Sequence, residues 1–278
     1  MELTIIQFIQ QFASPLLDRV FTVITMMGEE LFLLGVVLIV YYCFDKQLGL
    51  FLCFSMLTTA AVNQGIKQLV RAPRPIGQPG VRSLRVHTAG GYSFPSGHTQ
   101  SATAMFYSLY RYLGRRWLAA VTVAVGLLVG LSRLYLGVHW PKDVLAGLIL
   151  AVVLSEICYR LYKNCKNPLP LFLLGFGILL LAFYPLGMSD SYFKAIGCMG
   201  GLCVGCWFEQ LCVKFKTAGV GVFKKVLRCL LGGGCMALVL VGMKYLLPAT
   251  QLGTALRYGM TVFAGIGVAP LLFKSLRI

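Results

Sequence analysis

The chain has 278 residues, 58% hydrophobic and only 12% charged, with a formal net charge of +16 and a mean hydropathy of +0.79. That balance excludes a soluble globular enzyme, and no polar stretch is long enough to form a separate soluble domain. The basic surplus does not indicate a nucleic-acid partner, because no basic patch interleaved with aromatics occurs and a membrane protein collects such charge in its cytoplasmic loops.

Repeated apolar runs of about 20 residues match the length a helix needs to cross a hydrocarbon core about 30 Å thick. Each run must be helical, since lipid offers no partner for a free backbone N–H or C=O. The predicted fold is therefore an all-α, polytopic membrane bundle. At the N-terminus, Gln7, Gln10, Gln11, Ser14, Pro15, Asp18 and Arg19 interrupt residues 1–27, which predicts two amphipathic interfacial helices rather than one span. Helices are predicted over 29–44, 47–69, 96–113, 116–135, 141–162, 168–186, 191–213, 224–247 and 254–274. Three parts follow: interfacial helices in 1–28, a core in 29–165 and further transmembrane helices in 166–278.

Several polar residues inside this frame have structural readings. Glu29 and Glu30 stand at the outer end of a helix, where two readings are open, an ion pair with the basic site or a helix cap, and the cap is favoured because a carboxylate suits a helix N-terminus. Asn63 and Gln64 lie one turn before Lys67 and are placed to orient it. Glu156 and Arg160 are one helical turn apart, an expected ion pair. Glu209 lies deep in an apolar helix and needs a partner that the sequence does not identify. Gly197, Gly201 and Gly205 form a small-residue stripe that permits close helix contact. All ten cysteines lie within or at the ends of apolar segments; Cys203-x-x-Cys206 is read as buried small residues, not as a redox or metal site.

If the helices alternate in direction, the loops divide into two sets. One set holds 14 of the 25 basic residues, at 46, 111, 115, 116, 160, 163, 166, 214, 216, 224, 225, 228, 274 and 277. The other holds eleven, seven of them between Lys67 and Lys142. The first set is assigned to the cytoplasm, so the segment from Lys67 to Lys142 faces outward at its polar helix ends.

Three polar clusters share that outer side. KQLVRAPRP carries Lys67, Arg71, Arg74 and Pro75; SFPSGHTQS carries Ser96, Gly97 and His98; SRLYLGVHWPKD carries Arg133, His139, Lys142 and Asp143. In PSGH, a helix N-terminus with unpartnered N–H groups and a glycine that lets an anion approach makes a phosphate cradle. Lys67, Arg74 and Arg133 add three cations, two of them guanidiniums that can hold phosphate oxygens bidentately. His139 and Asp143 are one turn apart, so the carboxylate can take the imidazole N–H and make the other nitrogen a better nucleophile. With His98 at the cradle, one imidazole can attack and another can protonate the leaving oxygen. No metal is needed, and carboxylates and histidines are too few on this face for a two-metal site. Arg71, Arg82, Arg85 and Lys142 read equally as lipid-headgroup anchors, and His87 as a solvated loop residue.

K-x6-R-P at Lys67 to Pro75, P-S-G-H at Pro95 to His98 and S-R-x5-H-x3-D at Ser132 to Asp143 resemble the three signatures of the type 2 phosphatidic acid phosphatase (PAP2) superfamily, over about residues 29–165. The resemblance implies a metal-independent lipid phosphate phosphatase without cofactor, sharing its site architecture with vanadium haloperoxidases. It implies His139 as the nucleophile that forms a phosphohistidine, Asp143 as its orienting partner and His98 as the general acid. Lys67, Arg74, Ser96, Gly97 and Arg133 are implied to bind phosphate. The expected partners are a lipid phosphate (phosphatidate, sphingoid phosphate or isoprenyl diphosphate) and the bilayer. The expected setting is a bacterial cytoplasmic membrane with the site facing outward. GEELF at Gly28 to Phe32, the Phe44–Asp45 pair and RPIGQPGV after Pro73 are also similar to the sphingosine-1-phosphate phosphatase branch.

The helices after 165 are read as structural, walling a lipid groove or forming a homo-oligomer contact. A lipid or phosphate transporter would collect the same basic residues, but it should show broken helices and internal repeats, and no half-chain repeat is evident. A vanadium-dependent oxidant enzyme would share the anion pocket but be soluble.

Overall fold

A computed structural model describes residues 1–183 and 189–278. Helix is the only regular secondary structure among the described residues. In chain order the helices are α1 (Glu2–Gln10), α2 (Pro15–Met26), α3 (Glu30–Cys43), α4 (Lys46–Val70), α5 (Gly97–Leu113), α6 (Arg116–Tyr135) and α7 (Pro141–Tyr162). They continue with α8 (Leu169–Phe183), α9 (Asp190–Phe208), α10 (Val222–Leu246), α11 (Gln251–Phe263) and α12 (Ala269–Ser275). Wider π turns at Glu209–Val213 and Ala264–Val268 extend α9 and link α11 to α12. The predicted helix over 168–186 has its last residues outside the described set.

Local chemistry sets many of these ends. Ser14 caps α2 by accepting from the Leu17 N–H, with Pro15 at the first helical position, where its missing N–H costs nothing. Asp45 caps α4 through bonds of 2.8 and 3.0 Å from the N–H groups of Gln47 and Leu48. Gly114 closes α5 in the left-handed conformation at φ 65°, which glycine adopts without steric cost.

Six of the described helical stretches are long and apolar enough to cross a membrane, or seven if α2 and α3, bent by 47°, count as one. The chain is an integral membrane protein. α5, 17 residues long, is shorter and more polar: its buried face carries Thr99, Gln100, Thr103 and Ser108.

The chain divides into two compact units, Met1–Leu33 with Val62–Tyr159, and Leu34–Ala61 with Arg160–Ile278. In the first, α6 packs against α5, α2 and α1. Ala102, Val125 and Val129 form one apolar centre with Ile24 and Met27 against them. Tyr135, Leu136 and Val138 form another with Ile9, Leu17 and Phe21. Salt bridges fasten the N-terminal segment: Glu2 to Lys142 in the first turn of α7 at 3.0 Å, and Asp18 and Glu29 to Arg82 and Arg85 of the loop before α5 at 2.6 and 2.5 Å. Glu29 thus pairs with Arg85, the ion-pair reading and not the favoured cap; the loop holding Arg85 is 56 residues away, a proximity that only the fold creates. Glu156 is held by Arg111 and the Tyr107 hydroxyl, partners on α5 across the helix packing.

In the second unit, the glycine stripe packs α9 against α11. A Cβ on Gly197 would meet the backbone of Ala255, and one on Gly201 the backbone of Gly259. The stripe therefore serves a contact within the chain. Glu209 finds its partner in Lys46, whose Nζ lies 3.0 and 3.1 Å from the two carboxylate oxygens, while the Phe215 N–H donates to Oε1 at 3.0 Å. Cys203 and Cys206 are buried free thiols.

Candidate active site

The candidate site lies wholly in the first unit, where the ends of α4 and α6 meet the starts of α5 and α7. After α6 the chain turns at Gly137, with φ 65°, a value glycine takes without strain. This turn brings His139 back towards the loop that follows α4.

His139 is 2% exposed. Its Nδ1 lies 3.2 Å from Asp143 Oδ2 and its Nε2 lies 3.0 Å from Arg74 Nη1. A carboxylate only accepts and a guanidinium only donates, so these partners select the tautomer with the proton on Nδ1 and the lone pair on Nε2. Burial, followed by the charges of Arg133, Arg74 and Lys67, holds the His139 pKa well below the ordinary imidazole value. The ring is neutral at physiological pH, the state a nitrogen nucleophile requires.

Asp143 is fully buried. Its Oδ2 also accepts from the Trp140 N–H at 2.8 Å and from the Ser93 hydroxyl, so three donors fix one oxygen. Ser93 Oγ is 3.4 Å from His139 Nδ1, and the Ser93 N–H donates to the Ala72 carbonyl at 2.9 Å. One buried serine thus joins the loop bearing Arg74 to the His139–Asp143 pair.

The three cations are fastened differently. Arg74 spreads its fork over the carbonyls of Gly91, Val138, Gly90 and Tyr92 at 2.8 to 3.2 Å. Burial pulls its guanidinium down to about 10, still cationic near neutral pH. Lys67 Nζ donates to the Tyr92 carbonyl at 2.5 Å. Arg133 is 0% exposed and donates from Nη1 to Thr25 Oγ1 at 2.9 Å, while its Nε and Nη2 are buried with no partner among the described residues. His98 Nε2 is likewise buried and unpartnered, and that ring lies within electrostatic reach of Arg133, His139 and Arg74. Buried polar groups normally find partners, and an arrangement that leaves two guanidinium donors and an imidazole nitrogen open among three cations is suited to a tetrahedral anion.

Lys67, Arg74, His98, Arg133, His139 and Asp143 are brought together. Ser96 sits with them but is occupied: its N–H donates to the Asp143 carbonyl at 3.0 Å and its hydroxyl pairs with Thr99 Oγ1 at 2.9 Å. The free donors heading α5 are then the amides that follow it. At Gly97 an added Cβ would meet only Asn63 Oδ1, at 3.6 Å. Asn63 binds Gln100 Oε1 at 2.7 Å and so steadies α5, where an orienting contact to Lys67 was expected. Arg71 donates to the Gln68 carbonyl at 2.9 Å, and His87 is exposed. Sequence reasoning missed Ser93 and Thr25. Ser93 had one available signal, its place three residues before Ser96 in a glycine-flanked loop; Thr25 had none. Among the described residues, no three His, Cys, Asp or Glu side chains converge where a metal ion could be held.

Comparison with known proteins identifies the family. Residues 48–167 match the PAP2 superfamily, and residues 193–278 match the PAP2 superfamily phosphatase transmembrane extension. Phosphatidylglycerophosphatase B of Bacillus subtilis (strain 168) is 30% identical over 154 residues, which is 51% of this chain and 73% of that protein. A probable sphingosine-1-phosphate phosphatase of Dictyostelium discoideum is 30% identical over 54% of this chain but only 40% of its own length. The crystal structure of a transmembrane PAP2-type phosphatidylglycerolphosphate phosphatase from Bacillus subtilis aligns at a TM-score of 0.50 and 26% identity, covering 59% of this chain and 85% of that one. The chain belongs to the PAP2 superfamily, among its membrane-embedded phosphatases.

Proposed function

We propose that this protein removes the phosphate from a membrane lipid phosphate by a metal-independent route through a phosphohistidine, at the extracytoplasmic face of the membrane. The observation that carries the reading is the neutral imidazole of His139. Its Nδ1 rests on Asp143 and its Nε2 lone pair lies beside Arg74, while Arg133 nearby has two buried donors open.

In the first step His139 Nε2 attacks phosphorus. The P–O bond to the lipid breaks, and the departing alkoxide takes a proton from His98, which receives that proton from the monoanionic phosphate ester as the ester binds as a dianion among the cations. The Nδ1–H bond to Asp143 stabilises the cationic, phosphorylated ring. In the second step His98, now neutral, removes a proton from water as its oxygen attacks phosphorus, and the N–P bond breaks to release inorganic phosphate. Lys67, Arg74, Arg133 and the amides heading α5 hold the equatorial oxygens, where charge is spread in a phosphoryl transfer.

Two further points support the placement and the substrate class. The basic loops at the opposite helix ends favour an outward site, within reach of a headgroup whose tails stay in lipid. The relatives named above act on a glycerophosphate lipid and a sphingoid phosphate, and a lipid monophosphate is the shared chemistry. The test is phosphate release from a panel of lipid phosphates in mixed micelles with EDTA present. Turnover that persists in chelator, is inhibited by orthovanadate and is lost in His139→Ala is expected. Undiminished turnover in His139→Ala would overturn the nucleophile assignment.

A further inference from the structure

We infer that Thr25, on α2 and outside the stretch that matches the PAP2 superfamily, is a positioning residue for phosphate: its hydroxyl sets the Arg133 guanidinium so that one complete N–H fork faces the anion. The inference rests on the phosphatase reading for the identity of the anion.

α2 is amphipathic, and Thr25 is its one buried residue, at 0% exposure. An aliphatic side chain would fill a helix contact better than a threonine, whose buried hydroxyl costs free energy unless it is bonded. The bond it makes is the 2.9 Å contact from Arg133 Nη1. That choice of nitrogen matters. A guanidinium presents parallel N–H pairs that match two oxygens of a phosphate, and with Nη1 taken, the pair left over is Nε and Nη2. Those two atoms are the ones that are buried and without a partner among the described residues.

The end of α2 is also seated against the cradle. A Cβ on Gly28 would lie 2.5 Å from the His98 carbonyl oxygen, so only glycine lets this turn rest on the first residues of α5. Glu29 then bonds Arg85 at 2.5 Å, fastening the same turn to the loop before α5. Thr25 is therefore held at a fixed depth behind Arg133, and the N-terminal helix supplies one wall of the phosphate pocket.

The experiment uses the full chain in detergent, with orthovanadate binding followed by thermal shift alongside lipid phosphatase kinetics. Thr25→Val keeps the shape and removes the acceptor. Its vanadate affinity should fall about tenfold, the size expected for loosening one charge-assisted contact, with KM rising by a similar factor and kcat changing less. Thr25→Ser should restore both. Thr25→Ala, which removes the hydroxyl without adding bulk, gives the same reading if the valine disturbs packing. Vanadate affinity and KM unchanged in both Thr25→Val and Thr25→Ala, or a serine variant as impaired as the valine, would overturn the assignment. Wild-type protein that binds vanadate yet releases phosphate from no lipid would instead sink the phosphatase reading and leave the role of Thr25 intact.

Discussion

Asp143→Asn is the substitution with the sharpest consequence. In the protein, Asp143 Oδ2 accepts from Trp140 N, Ser93 Oγ and His139 Nδ1, while Oδ1 is buried without a partner among the described residues. An asparagine can keep its carbonyl oxygen in the Oδ2 place, because the Trp140 backbone N–H demands an acceptor there, and put its NH2 where Oδ1 was. The fold and the ring orientation are then retained, and the loss is one of charge. As His139 bonds to phosphorus its ring becomes cationic, 3.2 Å from the carboxylate oxygen. At an effective dielectric near 20, that attraction is about 5 kcal/mol. A neutral carbonyl dipole retains part of it, so a net loss of about 4 kcal/mol is expected, or roughly a thousandfold in kcat. KM should hold or fall slightly, because Asp143 does not contact phosphate and its charge opposes the cations that do. The assay is phosphate release at saturating lipid in mixed micelles, with thermal melting to show that the variant is folded. A folded Asp143→Asn with kcat within tenfold of wild type would refute the electrostatic role.

The pH dependence follows from the lowered His139 pKa. Attack requires the neutral ring, and a depressed value keeps it neutral as pH falls, so kcat/KM should show no loss attributable to this group until pH is below about 6.5, the ordinary imidazole value; an acid limb at or above that value that disappears in a His139 variant contradicts the burial argument. Ser93→Ala should lower kcat about tenfold through loss of one hydrogen bond to a charged group, with KM unchanged and recovery in Ser93→Thr; a purely structural serine would instead lower the melting temperature and leave kcat per folded molecule unaltered. In the second unit, Glu209→Gln leaves Lys46 without its counter-charge. Lys46 is 25% exposed and Glu209 2%, so about 2 kcal/mol of stability should be lost, below the full cost of orphaning a buried charge because water still reaches the ammonium. Detergent melting curves should show a lower midpoint, and an unshifted one would count against the pair as a fastening.

The residue pattern alone determined the all-helical membrane class and most helix bounds, down to α6 and α7 at 116–135 and 141–162, because hydrocarbon leaves a spanning backbone no alternative to a helix. It also made the pairing of His139 with Asp143 legible, since residues four apart share a helix face, and it placed the polar helix ends as candidates for one site. What it could not supply were partners brought in from far along the chain. Thr25 lies 108 residues from Arg133, Ser93 lies 50 from Asp143 and Lys46 lies 163 from Glu209. No helical period or turn rule links such positions, because their proximity is a product of packing. The same holds for Glu29, read along its own helix as a cap but claimed by Arg85 across a loop, and for Ser96, whose amide belongs to the Asp143 carbonyl. Local chemistry decides which groups are charged, capped or apolar; tertiary structure decides which buried donor meets which acceptor, and so which donors remain open for a substrate.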